Sequence, residues 1–245
     1  MRYKSPFAAY ISVAFYNNPK RREDWLRSEF VFDVDAKDMP IRSCNCEDIC
    51  QTCLNEALEF VRDLVDSLND NLGLSNIHIV YSGRGYHIRI LDELIMETNS
   101  ELRGELVKYV TGADVPKNSI PLGYRNLFNK RVKRNILHLT GLEKIEGTNP
   151  NLIKDAKKNS GFLNDNLWGS FQEKIGPNRY KNLLNAMARV NLTTVDAKVS
   201  IDLKRILRLP SSLHSKVSMK CVEVKNPDTF DPFKDAVPKF VDERS

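Results

Sequence analysis

Four of the five cysteines of this chain lie within ten residues, at Cys44, Cys46, Cys50 and Cys53. In a reducing compartment, thiols this close together favour a bound metal over disulfides. The final Cys-x2-Cys pair is a common half of a structural zinc site, and four thiolates complete a tetrahedron that leaves no position for water or substrate. The spacing therefore predicts a structural zinc ion, with an iron–sulfur cluster or four unliganded thiols as alternatives. Cys221 lies far from the cluster and is predicted to be an ordinary buried thiol.

The length and composition predict a globular protein. With 245 residues and 41% hydrophobic content, the chain is long enough for one sizeable core or a core with a subdomain. It has no apolar run long enough to span a membrane, and residues 1–6 lack the apolar stretch of a secretory signal. We therefore expect a cytosolic protein with no membrane partner.

Positive charge is unevenly distributed along the chain. Lys and Arg number 37 against 32 Asp and Glu, so the net charge of +5 permits a polyanionic partner without requiring one. Residues 130–134 and 204–208 are basic stretches where phosphate could be neutralised. The simpler interpretation of such a run is the solvated face of a helix.

Residues 28–35 alternate as a β-strand does, which places Asp33 and Asp35 on one face. Their backbone positions are then roughly 6.6 Å apart, since a strand rises about 3.3 Å per residue. Converging carboxylates at this separation could share two divalent ions for phosphoryl transfer, and hard oxygen ligands suit Mg²⁺ or Mn²⁺. Two acids on the wet face of a half-exposed strand are the alternative.

The next segments predict a helix followed by a hairpin. Apolar residues recur at helical spacing over residues 54–72, and Gly73 is placed to end that helix. Residues 77–81 and 86–90 are β-rich and are joined through Ser82-Gly83-Arg84-Gly85. With His87, this connection offers a triphosphate a hydroxyl, a guanidinium, an imidazole and glycines that allow close approach of the backbone. An ordinary hairpin turn is the alternative.

The remaining sequence predicts a mixed α/β fold in three stretches. Strand patterns fall within residues 1–91 and 193–245, and the residues between them, 92–192, predict a helical insertion whose clearest helix is 178–190. Strand character returns at residues 198–202 and 220–224. The C-terminal tail is predicted to wrap the surface.

Taken together, these segments resemble the catalytic small subunit of archaeal and eukaryotic DNA primases, over most of the chain and in the same order. Residues 28–35 are similar to that family's metal-binding strand, residues 44–53 to its zinc knob and residues 82–87 to its triphosphate-binding loop. Residues 196–214 resemble its third signature, and residues 230–238 resemble one of its C-terminal segments.

The resemblance implies a role for each candidate residue. The implied ligands of catalytic Mg²⁺ or Mn²⁺ are Asp33, Asp35 and Asp196. The implied nucleotide-binding residues are Ser82, Arg84, His87, Arg208 and His214. Family spacing puts the third acid twelve residues before an Arg or Lys and eighteen before a His, which selects Asp196, with Asp202 as the alternative. Ser218 stands where the family has glycine, and family members usually carry several dozen more residues before Tyr10.

The implied activity is template-directed synthesis of short RNA primers by two-metal nucleotidyl transfer. The implied partners are nucleoside triphosphates, a single-stranded DNA template and a primase large subunit in a heterodimer. The location would be nuclear for a eukaryotic source. Two other functions stay open: a non-catalytic nucleic-acid-binding subunit held together by zinc, and a primase-like polymerase of repair or of a mobile element.

Overall fold

The computed structural model of the protein describes residues 8–117 and 122–238. The chain divides into two compact units. The core unit contains the described residues of 1–38, 46–104 and 196–245, and the helical unit contains those of 39–45 and 105–195. Residues 92–104, which the sequence placed at the start of the helical insertion, belong to the core unit in this division.

The strands and helices alternate irregularly along the chain, as in a mixed α/β fold. The strands are β1 (Tyr10–Ser12), β2 (Ala14–Asn18), β3 (Glu23–Ser28), β4 (Phe30–Asp35), β5 (Ile77–Tyr81), β6 (Gly85–Ile90), β7 (Ile206–Arg208) and β8 (Val222–Glu223). The helices are α1 (Gln51–Leu72), α2 (Glu93–Met96), α3 (Ser100–Thr111), α4 (Leu122–His138), α5 (Pro150–Lys158), α6 (Gly161–Asn164), α7 (Trp168–Ile175), α8 (Pro177–Thr193), α9 (Ala197–Ile201) and α10 (Pro232–Asp235). The predicted mixed α/β fold class is confirmed.

A four-stranded antiparallel sheet carries the predicted acidic strand and the predicted hairpin. Its strand order is β4-β6-β5-β8, and the register pairs Asp33 with His87 and Asp35 with Gly85. Two smaller antiparallel sheets pair β1 with β7 and β2 with β3. The register of β4 against β6 therefore places the acidic strand beside the predicted triphosphate loop.

The acidic strand β4 is fixed by both burial and buried charge. Phe30, Phe32 and Val34 are fully buried, as their alternation predicts. At the start of the strand the buried guanidinium of Arg103 donates to the carbonyl oxygens of Ser28 at 2.7 Å and Glu29 at 2.8 Å. A buried guanidinium that satisfies several carbonyls is costly to disturb. This network gives the acidic strand a rigid support.

Helix α1 begins at the cysteine cluster and ends at Gly73, as predicted. Its apolar face, which includes Leu54, Phe60 and Leu68, is fully buried. Gly73 has φ of +66° and its N–H donates to the carbonyl of Asn69, a glycine-terminated helix end. The predicted hairpin of β5 and β6 is also confirmed.

The helical unit has its own apolar core, formed mainly by α4, α5, α7 and α8. It also contains a buried amide chain, in which Asn135 donates to Asn191 at 2.7 Å and Asn191 donates to the carbonyl of Gly112 at 2.8 Å. The predicted helix at residues 178–190 is confirmed as part of α8. Within the described residues, no helix is both long enough and apolar enough to cross a membrane.

The strand predicted at residues 198–202 is wrong, because this segment is helix α9. The carboxylate of Asp196 accepts the Lys198 N–H at 3.0 Å and so caps the helix, while Val199 packs with Val13, Val31 and Leu207. Local capping and tertiary packing thus outweigh the β-propensity of Val and Ile. The predicted strand at 220–224 is reduced to β8, and the sequence interpretation missed β7 and the β2–β3 hairpin.

Candidate active site

A cavity of about 230 Å³ in the core unit brings together seven of the eight predicted metal- and nucleotide-binding residues. They are Asp33, Asp35, Ser82, Arg84, His87, Arg208 and His214. The cavity is also lined by Tyr10, Arg205, Ile206 and Leu207. Strand β4, the β5–β6 turn and the segment from Arg205 to His214 therefore meet at one place, although they are widely separated along the chain.

The surroundings of Asp33 oppose the ionisation of its carboxyl group. Burial, and then the negative charges of Asp35 and Asp196, raise its pKa to about 7. Its Oδ1 lies 3.6 Å from Nε2 of His87, the residue opposite it in the sheet. Carboxylates this close together repel one another when they are ionised. A divalent cation bound between them would reduce that repulsion.

Asp196, which is exposed at the start of α9, lies next to Asp33. Its N–H donates to the Asp33 carbonyl at 2.9 Å, and its charge is one of the causes of the raised Asp33 pKa. Asp202, at the other end of α9, is exposed and its Oδ1 accepts the Lys204 N–H at 2.9 Å. Of the two alternatives for the third acid, the structure brings Asp196 to the acidic strand.

Asp35 is held by Arg84. Both Nε and Nη2 of Arg84 donate to Oδ2 of Asp35, the first at 2.8 Å, and Oδ1 of Asp35 accepts the Lys37 N–H at 2.9 Å. Arg84 is also 3.7 Å from Asp38. A residue predicted to bind metal and a residue predicted to bind phosphate therefore neutralise one another in this structure.

The two glycines of the turn, Gly83 and Gly85, allow other parts of the protein to pack closely against it. A side chain at Gly83, where φ is +107°, would lie 2.3 Å from Cβ of His214. One at Gly85 would lie 2.1 Å from the carbonyl oxygen of Val34. The sequence interpretation assigned these glycines to close approach of a ligand. The structure shows that they allow His214 and strand β4 to approach the turn.

Both histidines of the cavity are held in the neutral form. Burial, followed by the positive charges of nearby arginines, lowers the pKa of His87 and of His214 to about 4. Nδ1 of His214 accepts the Lys216 N–H at 3.2 Å, which leaves the proton of the neutral ring on Nε2. His214 thus presents a hydrogen-bond donor rather than a positive charge.

Sequence reasoning missed Tyr10 and Arg205 as cavity residues. The Arg208 guanidinium lies 5.1 Å from the ring centroid of Tyr10, its partner across β1 and β7, and also donates to the Leu213 carbonyl at 2.7 Å. Arg205 was part of a recognised basic stretch, but its place in the cavity depends on the pairing of β7 with β1. The buried Cys221, predicted to be an ordinary thiol, packs behind this segment.

The four clustered cysteines also converge. Their sulfur atoms all lie within 4.8 Å of one another, with Cys53 Sγ 3.8 Å from Cys46 Sγ and 3.9 Å from Cys50 Sγ. Four sulfurs around one zinc ion at the usual Zn–S distance are about 3.8 Å apart. This cluster could therefore hold a metal ion.

The fold and the cavity together define a class: a mixed α/β protein that gathers carboxylates, arginines and histidines in one place, a set of groups suited to phosphoryl transfer. The sequence model of the DNA primase small subunit family matches residues 32–225. The chain belongs to this family, and the predicted resemblance is confirmed.

Similar proteins carry the name "DNA primase small subunit PriS". That of Methanobrevibacter smithii is 62% identical over 261 residues, covering 100% of this chain and 81% of that protein. That of Methanothermobacter thermautotrophicus is 52% identical, covering 100% and 80%. That of Thermococcus kodakarensis is 40% identical, covering 98% and 76%. These findings favour the primase over the two other functions that the sequence left open.

Proposed function

We propose that this protein is the catalytic subunit of a DNA primase, a DNA-directed nucleotidyltransferase that joins nucleoside triphosphates into short RNA primers on a single-stranded DNA template. The observation that carries the proposal is that acidic and basic side chains from three distant segments meet in one cavity. Membership of the primase small subunit family supports the same activity.

We propose that Asp33, Asp35 and Asp196 hold the catalytic divalent ions, Mg²⁺ or Mn²⁺. Their oxygen donors match these cations, and the mutual repulsion that raises the Asp33 pKa supports a site built for positive charge. When bound, such ions stabilise the charge on the transferring phosphoryl group and activate the attacking hydroxyl. The task of the three side chains, two on strand β4 and one at the start of α9, is to fix the position of that charge.

The remaining cavity residues suit the incoming triphosphate. Arg84 and Arg208 offer guanidinium forks to phosphate oxygens, and Ser82 offers a hydroxyl. His87 and His214, held neutral, can donate to phosphate or sugar without adding charge. The arginines therefore supply the positive charge, while the histidines supply hydrogen bonds that orient the nucleotide.

The Asp35–Arg84 ion pair implies an exchange of partners on binding. A cation must compete with Arg84 for Oδ2 of Asp35, and a triphosphate must compete with Asp35 for Nε and Nη2 of Arg84. A nucleotide bound together with its divalent ion satisfies both residues at once. Metal and nucleotide should therefore favour each other's binding.

We also propose that the cysteine cluster holds zinc in a structural role and that a primase large subunit is the heterodimer partner. The sulfur separations support a tetrahedral zinc site. The partner is proposed from the family alone.

Template-dependent extension tests the proposed function. The protein, assayed with the large subunit present, should incorporate ribonucleotides on single-stranded DNA in Mg²⁺ or Mn²⁺. Asp33→Ala should remove the activity, and the folded state should be checked by thermal unfolding of the same preparation. Normal extension by folded Asp33→Ala would refute the two-metal site.

A further inference from the structure

The helical unit carries a larger net positive charge than the whole chain, whose net charge is +5. Residues 39–45 and 105–195 contain 16 Lys and Arg and 7 Asp and Glu, so their net charge is 16 minus 7, or +9. The rest of the chain contains 21 and 25, which gives 21 minus 25, or −4. The helical unit is thus the one whose net charge attracts a polyanion.

Helix α8 exposes a polar face in this unit. Its buried face, which includes Leu183 and Met187, belongs to the core, whereas Asn182, Asn185 and Arg189 are exposed at spacings of three and four residues. This spacing places the three side chains on one side of the helix.

These three side chains line a second cavity, of about 390 Å³, together with residues 113–115 and Gly147. Gly147 has φ of +80°, and a side chain there would lie 2.5 Å from Nη2 of Arg189. The absence of a side chain at Gly147 therefore leaves the space that the guanidinium occupies.

The polar side chains of this face have no bonding partners among the described residues. Among the described residues, the side chains of Asn182, Asn185 and Arg189 form no hydrogen bond or ion pair. By contrast, Asn135 and Asn191 bond to each other, and Arg179 at the other end of α8 pairs with Asp155 at 2.6 Å. The hydrogen-bond donors of the exposed α8 face are therefore available to a ligand, unlike those of Asn135, Asn191 and Arg179.

We infer that this α8 face binds the single-stranded DNA template. Arginine and asparagine are suited to phosphate oxygens and base edges, and the +9 charge of the unit supplies the sequence-independent attraction. This inference rests on the proposed function, since it assigns a surface to the template of that reaction.

Fluorescence anisotropy with a labelled single-stranded oligodeoxyribonucleotide tests the inference on the full chain, without nucleotide or added divalent ion. Arg189→Ala should weaken binding roughly five- to tenfold at low salt and lower the slope of log affinity against log salt by about 0.7, as for one lost phosphate contact. Arg179→Ala, in the same helix and with the same change of net charge, should weaken binding less than twofold. The double variant Asn182→Ala/Asn185→Ala should weaken binding about threefold with an unchanged salt slope, because neutral contacts release no counterions.

Equal effects of Arg189→Ala and Arg179→Ala would overturn the inference, because net charge alone would then explain them. A preference of more than tenfold for an RNA oligonucleotide of the same sequence would overturn the assignment to the template. Both results would leave the proposed catalysis standing. Failure of the unaltered protein to bind single-stranded DNA at all would instead count against the proposed function itself.

Discussion

The two candidate metal sites of this protein are built in opposite ways. The cysteine cluster draws its four ligands from ten consecutive residues at the start of α1. The other site, here called the acidic cavity, is the cavity that Asp33 and Asp35 line, with Asp196 beside it. It draws its groups from β4, from the β5–β6 turn and from residues 196–214. The first site depends on a short stretch of chain, and the second depends on the correct folding of the whole core unit.

Because of this difference, we expect the two sites to contribute differently to stability and to activity. A closed set of four thiolates binds its metal without an open position, so its binding energy goes into the folded state. A set of crowded carboxylates opposes its own ionisation, as the raised Asp33 pKa shows, so it gains nothing for stability until a cation is present. We therefore expect changes at the cysteines to affect stability and changes at the acids to affect activity.

The largest expected effect follows from removing the third acid. Asp196→Ala should lower template-dependent extension roughly a thousandfold or more, because several kcal/mol of transition-state stabilisation depend on the metal ligands. Thermal stability without metal should fall only slightly, because the relief of repulsion toward Asp33 and Asp35 offsets part of the lost N-cap of α9.

Asp202→Ala is the matched control, because it removes an exposed acid from the other end of the same helix. It should retain most of the extension activity. Normal extension by Asp196→Ala together with an inactive Asp202→Ala would mean that Asp202 is the third acid.

The opposite pattern is expected at the cysteines. Cys50→Ser should reduce the free energy of unfolding by about 3 kcal/mol or more, as for loss of a structural metal ligand, while the fraction that stays folded keeps its acidic cavity. Chemical denaturation and metal analysis of the purified protein check this prediction, with Cys221→Ser as the control outside the cluster. Protein purified without chelators that contains neither zinc nor iron would contradict the metal assignment.

The local parts of both sites could be predicted from the sequence. Asp33 and Asp35 stand on one strand face, the cysteines have zinc-like spacing, and Gly73 ends its helix, each within a few residues. The non-local parts could not, because they depend on pairing between distant segments. Tyr10 and Arg205 join the cavity through the register of β1 against β7, and the Asp35–Arg84 ion pair arises from that of β4 against β6.

Asp196 stands between these two cases. The residues around it predicted a strand, whereas the structure shows a helix that Asp196 itself caps. Its selection as third acid came from family spacing and not from any local pattern. Only the folded structure supplies the reason for its position, the bond from its N–H to the Asp33 carbonyl.

A change at Arg84 should separate metal binding from nucleotide binding. Arg84→Ala should weaken nucleoside triphosphate binding by about 1.5–3 kcal/mol, as for a lost charge-assisted bond. The same change should strengthen the binding of Mn²⁺ alone several-fold, because Asp35 loses the cation that competes for it. Calorimetry for the nucleotide and electron paramagnetic resonance for Mn²⁺ measure the two effects.

Arg208→Ala is the control for Arg84, because Arg208 lines the same cavity but donates to the Leu213 carbonyl instead of to an acid. It should weaken nucleotide binding with less than a twofold change in Mn²⁺ binding. Equal Mn²⁺ affinities of the Arg84→Ala and Arg208→Ala variants would show that the Asp35–Arg84 ion pair does not compete with the metal.

The smallest expected effect lies in the loop that supplies His214. Ser218 has φ of +56°, the left-handed conformation that favours glycine, and its N–H donates to the His214 carbonyl at 2.8 Å. Ser218→Gly should raise the free energy of unfolding by roughly 0.5–1 kcal/mol, because it removes the steric cost of a Cβ in this conformation and keeps the N–H. Ser218→Ala should give no gain, since it removes only the hydroxyl. Denaturant unfolding of the three proteins measures the differences, and a loss of stability on Ser218→Gly would show that the hydroxyl contributes more to this loop than the backbone conformation costs.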